Sequence, residues 1–295
     1  MTVKTHPEQE STRPRTIVRC VIAVMTAITI TATASAAAVR NSETRPSGHS
    51  EATTSISLSA KPLVEPSIST DGLDKLSADG RYSVAIVDLD TGESLTYGGG
   101  SFDTASIVKV DILAALLYQL QQKGAELTSS QDHLVKAMIE RSDNPSATTL
   151  FRQIGGKAAL ENFNSTIGLT ETKIGANGNW GLTQTTAKDQ LILLRTVFGP
   201  DSLLTVKSQE YIRDLMANVI DSQKFGVSAI SKDAALKVGY LQRSTTGLWD
   251  VASIGFARAA GRAFLVAFLS DNNPTLQDGI ALANQAVSAA ADGFR

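Results

Sequence analysis

Cysteine is almost missing from this 295-residue chain and histidine is scarce: Cys20 stands alone, and the three histidines are His6, His49 and His133. A single cysteine excludes an internal disulfide framework and any cysteine-rich metal site. His6 and His49 fall outside the patterned part of the chain, so a multi-histidine zinc site has no ligands. His133 lies in Gln131-Asp132-His133-Leu134, which reads as the exposed start of a helix. A Ser-His-Asp triad would therefore have to recruit a solvated imidazole, and a serine hydrolase built from this chain would take its base from lysine. Charge of one sign is also lacking, with a formal net charge of −2. No basic excess provides a footprint for nucleic acid, and no acidic tail calls for a cationic partner. What remains is an ordinary globular composition, 42% hydrophobic and 19% charged, long enough for one large domain or two modest ones.

The first 39 residues have the layout of an export signal. Lys4, Arg13, Arg15 and Arg19 precede an uncharged run from Cys20 to Val39 that contains Ala34-Ser35-Ala36, a small-residue cleavage pattern. The run is also close to the ~20 residues that a membrane-spanning helix needs, so residues 20–39 could tether the chain instead. Basic residues before the run place everything after it outside the cytoplasm in either case. Residues 40–70 are rich in Ser and Thr, carry Pro46, Pro62 and Pro66, and show no apolar period, the signature of a linker.

Residues 71–295 read as one folded domain. A short helix at Asp71–Leu76 precedes a strand at Tyr82–Leu89, a turn at Asp90–Glu93 and a second strand ending at Tyr97. Gly98-Gly99-Gly100 has no phosphate-loop spacing and reads as a bend. Helical patterns then dominate at Gln131–Arg141, Pro145–Ile154, Lys157–Ile167, Thr186–Phe198 and Ser208–Val219. Apolar runs at Ala235–Tyr240, Trp249–Arg258 and Phe264–Leu269 predict a three-stranded meander, closed by a helix from Thr275 to about Ala291. Two strands, a block of helices, three strands and a helix predict an α/β protein of the α+β type. It would have one antiparallel five-stranded sheet flanked by helices, with a helical lobe inserted between the strand groups.

The chain is organised around the helix that begins near Thr104 and is closed by Gly124. Ile107, Val108, Val110, Ile112, Leu113, Leu116, Leu117 and Leu120 make it apolar on nearly every face, which predicts burial. Within it Lys109 follows Ser106 by one helical turn, so ammonium and hydroxyl share a face. Ser106 also falls at the helix start, where free N–H groups and the positive end of the dipole favour a developing negative charge. A serine beside a buried lysine is one way to make an alcohol nucleophilic. Ser106 as a helix cap and Lys109 reaching to the surface is the competing reading of the pair alone.

Two further clusters join this pair: Ser142-Asp143-Asn144-Pro145 between two helices, and Lys237-Val238-Gly239 on the first strand of the late meander. With Ser106-x-x-Lys109 they resemble, in order and in secondary structure, the penicillin-recognising serine enzymes, namely class A β-lactamases and D,D-peptidases. The resemblance spans roughly residues 75–295. It implies a β-lactamase/transpeptidase-like fold and an exported serine hydrolase that reacts with β-lactams or peptidoglycan-type peptides. Such an enzyme works as a monomer without metal or organic cofactor. Carried over, Ser106 attacks a carbonyl, Lys109 takes its proton and Ser142 relays a proton to the leaving nitrogen. Asn144 holds the substrate's amide side chain, and Lys237 holds Ser142 and attracts a carboxylate. The backbone N–H groups of Ser106 and Tyr240 bind the oxyanion, with Gly239 between Tyr240 and the lysine strand position. Asp143 is expected to be structural.

The chain departs from the family in three ways. Val238 replaces the usual Thr or Ser, removing a hydroxyl donor to a substrate carboxylate that is worth about 1.5–3 kcal/mol, and Arg243 could compensate. The segment Gly175–Thr183 has no carboxylate where class A enzymes carry the glutamate of E-x-x-L-N. Glu171, earlier in the chain, is the one substitute nearby. Without a positioned base, about 10²–10⁴-fold of catalysis of deacylation is lost, so acylation should outrun deacylation. The 36 positions from Ser106 to Ser142 are fewer than the family uses, which suggests an opener cleft. A D,D-peptidase or esterase-like hydrolase and a non-catalytic wall-binding module are the alternatives that these departures leave.

Overall fold

The structure, a computed structural model, describes residues 68–295. The expected signal or anchor at 1–39 and nearly all of the expected linker at 40–70 lie outside the described residues. The chain runs through α1 (Asp71–Asp74), β1 (Arg81–Asp88), β2 (Ser94–Gly98), β3 (Phe102–Asp103), a 3₁₀ turn (Ala105–Ile107) and α2 (Val108–Gln122). Helices α3 (Ser129–Glu140), α4 (Asn144–Gln153) and α5 (Gly156–Ile167) follow, then β4 (Gln184–Thr185), α6 (Ala187–Phe198) and α7 (Val206–Ala217). Strands β5 (Ala235–Gln242), β6 (Trp249–Ala259) and β7 (Arg262–Asn273) lead into α8 (Leu276–Asp292).

Five strands form one antiparallel sheet in the order β2-β1-β7-β6-β5. The early hairpin and the late meander are thus joined by pairing of β1 with β7, with Ala85 opposite Ala267. No helix among the described residues is long and apolar enough to cross a membrane.

Both faces of the sheet are covered, which explains why β7 reads as an unbroken apolar run rather than an alternating one. Ala85, Val87, Leu265, Ala267, Leu269 and Ile254 face a core shared with α2 to α7. Their strand neighbours Val84, Ile86, Phe264, Val266 and Phe268 face a second core with α8. The same period of two governs β5. Leu236 and Val238 enter the α8-side core, which leaves Lys237 and Gly239 directed toward the helical side.

Capping explains most of the helix boundaries. Thr128 and Gln131 form a reciprocal capping box on α3, Asp143 caps α4, and Thr186, Thr205 and Thr275 cap α6, α7 and α8. The two-residue pair β3–β4 was not legible beforehand. It joins Phe102-Asp103 to Gln184-Thr185, at the two ends of the helical lobe.

Candidate active site

From Phe102 to Leu117 every residue is buried except Ser106. The hydroxyl reaches the surface because the chain enters α2 through a tight 3₁₀ turn whose first residue, Ala105, is left-handed with φ 45°. Ser142, between α3 and α4, is left-handed as well, with φ 59°. Non-glycine residues in this region each store about 1–3 kcal/mol of strain, and such strain gathers at functional sites. These two residues flank one ammonium group.

That group is Lys109, fully buried in α2. Its Nζ lies 2.9 Å from Ser106 Oγ, 3.0 Å from Ser142 Oγ, 2.6 Å from the Ser142 carbonyl and 2.7 Å from Asn144 Oδ1. The carbonyl and amide oxygens can only accept. A neutral amine has two N–H bonds to give them, and its lone pair is then free to accept from the Ser106 hydroxyl. Burial pushes the Lys109 pKa down to about 8, against the opposing pull of Asp143. The indole of Trp180 covers the same ammonium at 5.1 Å.

Lys237 is also fully buried. It donates to Ser142 Oγ at 3.1 Å and to the Val238 carbonyl at 3.1 Å, so the Ser142 hydroxyl bridges the two lysines. Burial, and then the nearby charge of Lys109, bring its pKa down to about 7. Asp143 stays out of this exchange. Its carboxylate accepts the Ser146 N–H at 2.8 Å as the cap of α4, and the Ser146 side chain, followed by that backbone bond, keeps its pKa below the usual carboxylate range.

Gly239 is required by close approach. A Cβ at this position would stand 2.7 Å from the Ser106 nitrogen and 2.7 Å from the Thr104 carbonyl. Only glycine lets the edge strand β5 press against the turn that carries Ser106, and this brings Tyr240 to the same cavity. That cavity has a volume of about 330 Å³, and Ser106, Asn144, Tyr240 and Trp180 are among its lining residues. Its lining includes no carboxylate, imidazole or cationic side chain.

The structure places three further residues that the sequence singled out. Arg243 does not line this cavity: its guanidinium donates to Asp103 and stands 3.9 Å from Asp250, because two buried carboxylates beside β5 compete for it. Glu171 lines a different cavity of about 760 Å³, with Gly98–Ser101 and Lys173. Val238 carries no hydroxyl, and its side chain is fully buried in the core shared with Leu236 and α8.

The residues that sequence reasoning passed over are Trp180 and Thr148, joined by a bond from Nε1 to Oγ1 of 3.1 Å, and Ala105 with its strained backbone. The loop holding Trp180 is fastened to the nucleophile's turn by Thr104 N–H donating to the Thr183 carbonyl at 2.8 Å. A tryptophan in a Gly/Asn-rich stretch was the available signal.

A doubly covered five-stranded sheet with serine and lysine at the start of its central buried helix defines a class A β-lactamase-like fold. Solved structures agree. The class A β-lactamase of Bacteroides cellulosilyticus DSM 14838 superposes with a TM-score of 0.63 at 17% identity, over 76% of this chain and 95% of that one. A β-lactamase of Chitinophaga pinensis DSM 2588 gives 0.65 at 18% identity, over 74% and 95%. The model of the beta-lactamase enzyme family matches residues 72–131 and 128–294, and the chain belongs to that family. Curated relatives are the candidate lipoprotein LppW of Mycobacterium tuberculosis H37Rv and of Mycobacterium bovis, 27% identical over 168 residues. The chain spans about half the length of these relatives, and the match takes in 54% of each sequence.

Proposed function

We propose that this protein is an active-site-serine acyl hydrolase that is acylated at Ser106 by β-lactams and releases the acyl group slowly. The observation that carries the reading is the set of contacts at Lys109 Nζ, which lies 2.9 Å from Ser106 Oγ and within hydrogen-bond reach of the acceptor-only Ser142 carbonyl and Asn144 Oδ1, so that its neutral form is placed to take the serine proton. A serine proton has a base within hydrogen-bond reach, and desolvation tunes that base toward neutrality.

In this mechanism Ser106 Oγ attacks the lactam carbonyl as Lys109 takes its proton. The backbone N–H groups of Ser106 and Tyr240 receive the oxyanion, which the tight Gly239 contact holds in register. Ser142 Oγ, bonded to both lysines, passes a proton to the departing nitrogen. Asn144 Oδ1 is held by Lys109, which leaves its amide N–H₂ to bind a substrate carbonyl. Hydrolysis of the ester needs a water with a base beside it, and the cavity lining supplies none. Relative to an enzyme with a positioned base, deacylation falls by about 10²–10⁴-fold.

The basic and apolar N-terminal segment, together with a lipoprotein candidate among the relatives, supports an exported protein, secreted or held at the outer face of the membrane through residues 20–39. Fractionation of cells expressing the full chain checks this part of the reading.

Intact-mass measurement of the full chain with a penicillin tests the chemistry. We expect a lasting adduct of the penicillin's mass on the wild type and none on Ser106→Ala. No adduct and no loss of penicillin would overturn acylation by β-lactams. Hydrolysed penicillin without an adduct would overturn slow release.

A further inference from the structure

We infer that Trp180 is a positioning residue for Lys109, its indole face stabilising the positive charge that the lysine gains as it takes the Ser106 proton. The inference rests on the acyl-hydrolase reading above and concerns the same site.

The lysine needs such a partner. All four oxygens that reach its Nζ belong to neutral groups, so no carboxylate touches the ammonium once it forms. The charged groups that act on it from packed elements are Asp143 at the start of α4 and Lys237 on β5. The first spends its hydrogen bond on the Ser146 N–H, and the second carries charge of the same sign. The 176–182 segment brings no titratable side chain and one aromatic side chain, whose ring centroid lies 5.1 Å from Nζ. An aromatic face attracts a cation through its quadrupole and has no such attraction for a neutral amine. The contact therefore favours the protonated lysine selectively, and the lysine is fully buried, where the attraction is strongest.

Several ties hold the ring in place. Its Nε1–H donates to Thr148 Oγ1 on α4 at 3.1 Å. The Trp180 carbonyl accepts the Thr183 N–H at 3.1 Å, and the Thr183 carbonyl accepts the Thr104 N–H beside the nucleophile's turn at 2.8 Å. Gly175 admits the Asn179 carbonyl, which would stand 2.1 Å from a Cβ at that position. The segment is thus fastened on both sides of the indole.

The ring acts during one interval of the reaction. As Ser106 Oγ bonds to the carbonyl carbon, its proton passes to Lys109 Nζ and the carbonyl π pair moves onto oxygen. When that pair returns, the C–N bond breaks. Ser142 then gives its proton to the nitrogen and takes one from Lys109. The ammonium exists between these two transfers.

The full chain has two tryptophans, Trp180 and Trp249. Fluorinated tryptophans incorporated into a Trp249→Phe variant therefore mark position 180 alone. Fluorine draws electron density from the ring face at nearly constant size. Stopped-flow acylation by a penicillin is followed from pH 6 to 10 with one, two and three fluorines on the ring. We expect the rising limb to move stepwise to the acid side, because the ammonium loses stabilisation, and the plateau rate to fall with it. In the native background Trp180→Leu should move the limb by about 0.4–1.5 pH units and lower the plateau by about 2- to 30-fold, the worth of a buried cation–π contact. Trp180→Phe, which keeps a ring, should recover part of both, and this pair carries the test if the Trp249→Phe chain does not fold. Acylation whose limb stays fixed, or moves to the alkaline side, overturns this inference and leaves the acyl-hydrolase reading standing. Absence of acylation of the native chain overturns both.

Discussion

Asp143 shows how a residue outside the reaction can set its pH dependence. It caps α4, and its charge raises the pKa of Lys109 while burial lowers that pKa to about 8. Asp143→Asn keeps a good capping side chain and removes the charge. The ammonium of Lys109 then loses a stabilising partner, so its pKa falls further. The proton-accepting form of the lysine appears at lower pH, and the rising limb of the acylation rate against pH should move to the acid side. Stopped-flow acylation by a penicillin from pH 6 to 10 checks this, and an unmoved or alkaline-shifted limb would contradict it. The limb belongs to a coupled pair, because Lys237 titrates nearby and shares Ser142.

The 176–182 segment walls the cavity beside Ser106 without bringing a carboxylate to it. Two short 3₁₀ turns, Ala176–Gly178 and Trp180–Leu182, place Trp180 over Lys109 and Gly181 against the cavity. Gly181 has no positive φ, and an added Cβ would meet only the Ala105 carbonyl, at 3.9 Å. Its environment therefore accepts a side chain, and Gly181→Glu would introduce a carboxylate into a cavity that lacks one. We expect the half-life of the penicillin adduct to shorten by about 100-fold, at the low end of general-base catalysis. Mass spectra taken over time after removal of free penicillin read this directly, and an unchanged half-life would mean that the carboxylate does not reach the water.

At the scale of the whole molecule, α2 is the pillar between the sheet and the helical lobe, with ten successive buried residues from Val108 to Leu117. One of them is Asp111, whose Oδ1 is buried without a partner and whose pKa is raised to about 7 by desolvation. Below the carboxylate's ordinary range near 4 the group is neutral in both folded and unfolded chains. Between that range and pH 7 the unfolded chain releases the proton while the folded one retains it. Stability therefore falls as pH rises through this window and stays lower above it. Asp111→Asn removes the effect, so the variant should gain about 1–3 kcal/mol more over the wild type at pH 8 than at pH 5. Urea unfolding at both pH values measures the difference, and equal gains would show that the carboxyl is not held neutral.

The sequence by itself determined the elements and their order, because each carries a local signal. The all-round apolar surface marks α2, threonine and aspartate caps mark the helix starts, and apolar runs mark β5 to β7. It also determined which residues could be reactive, since the turn of helix that relates Ser106 to Lys109 is a local spacing. Tertiary structure decided what each long side chain could reach. Arg243 and Glu171 were nearby in sequence to the right elements, but Asp103 captured one and the other lines a different cavity. Val238 lacks the donor hydroxyl, and sheet alternation places its side chain in the α8-side core. Trp180 became part of the site only when its loop was fastened across the nucleophile's turn. Local spacing fixes directions along one element, whereas partnership between elements depends on packing and on competition for charge. Neither of these is written in any single stretch of the chain.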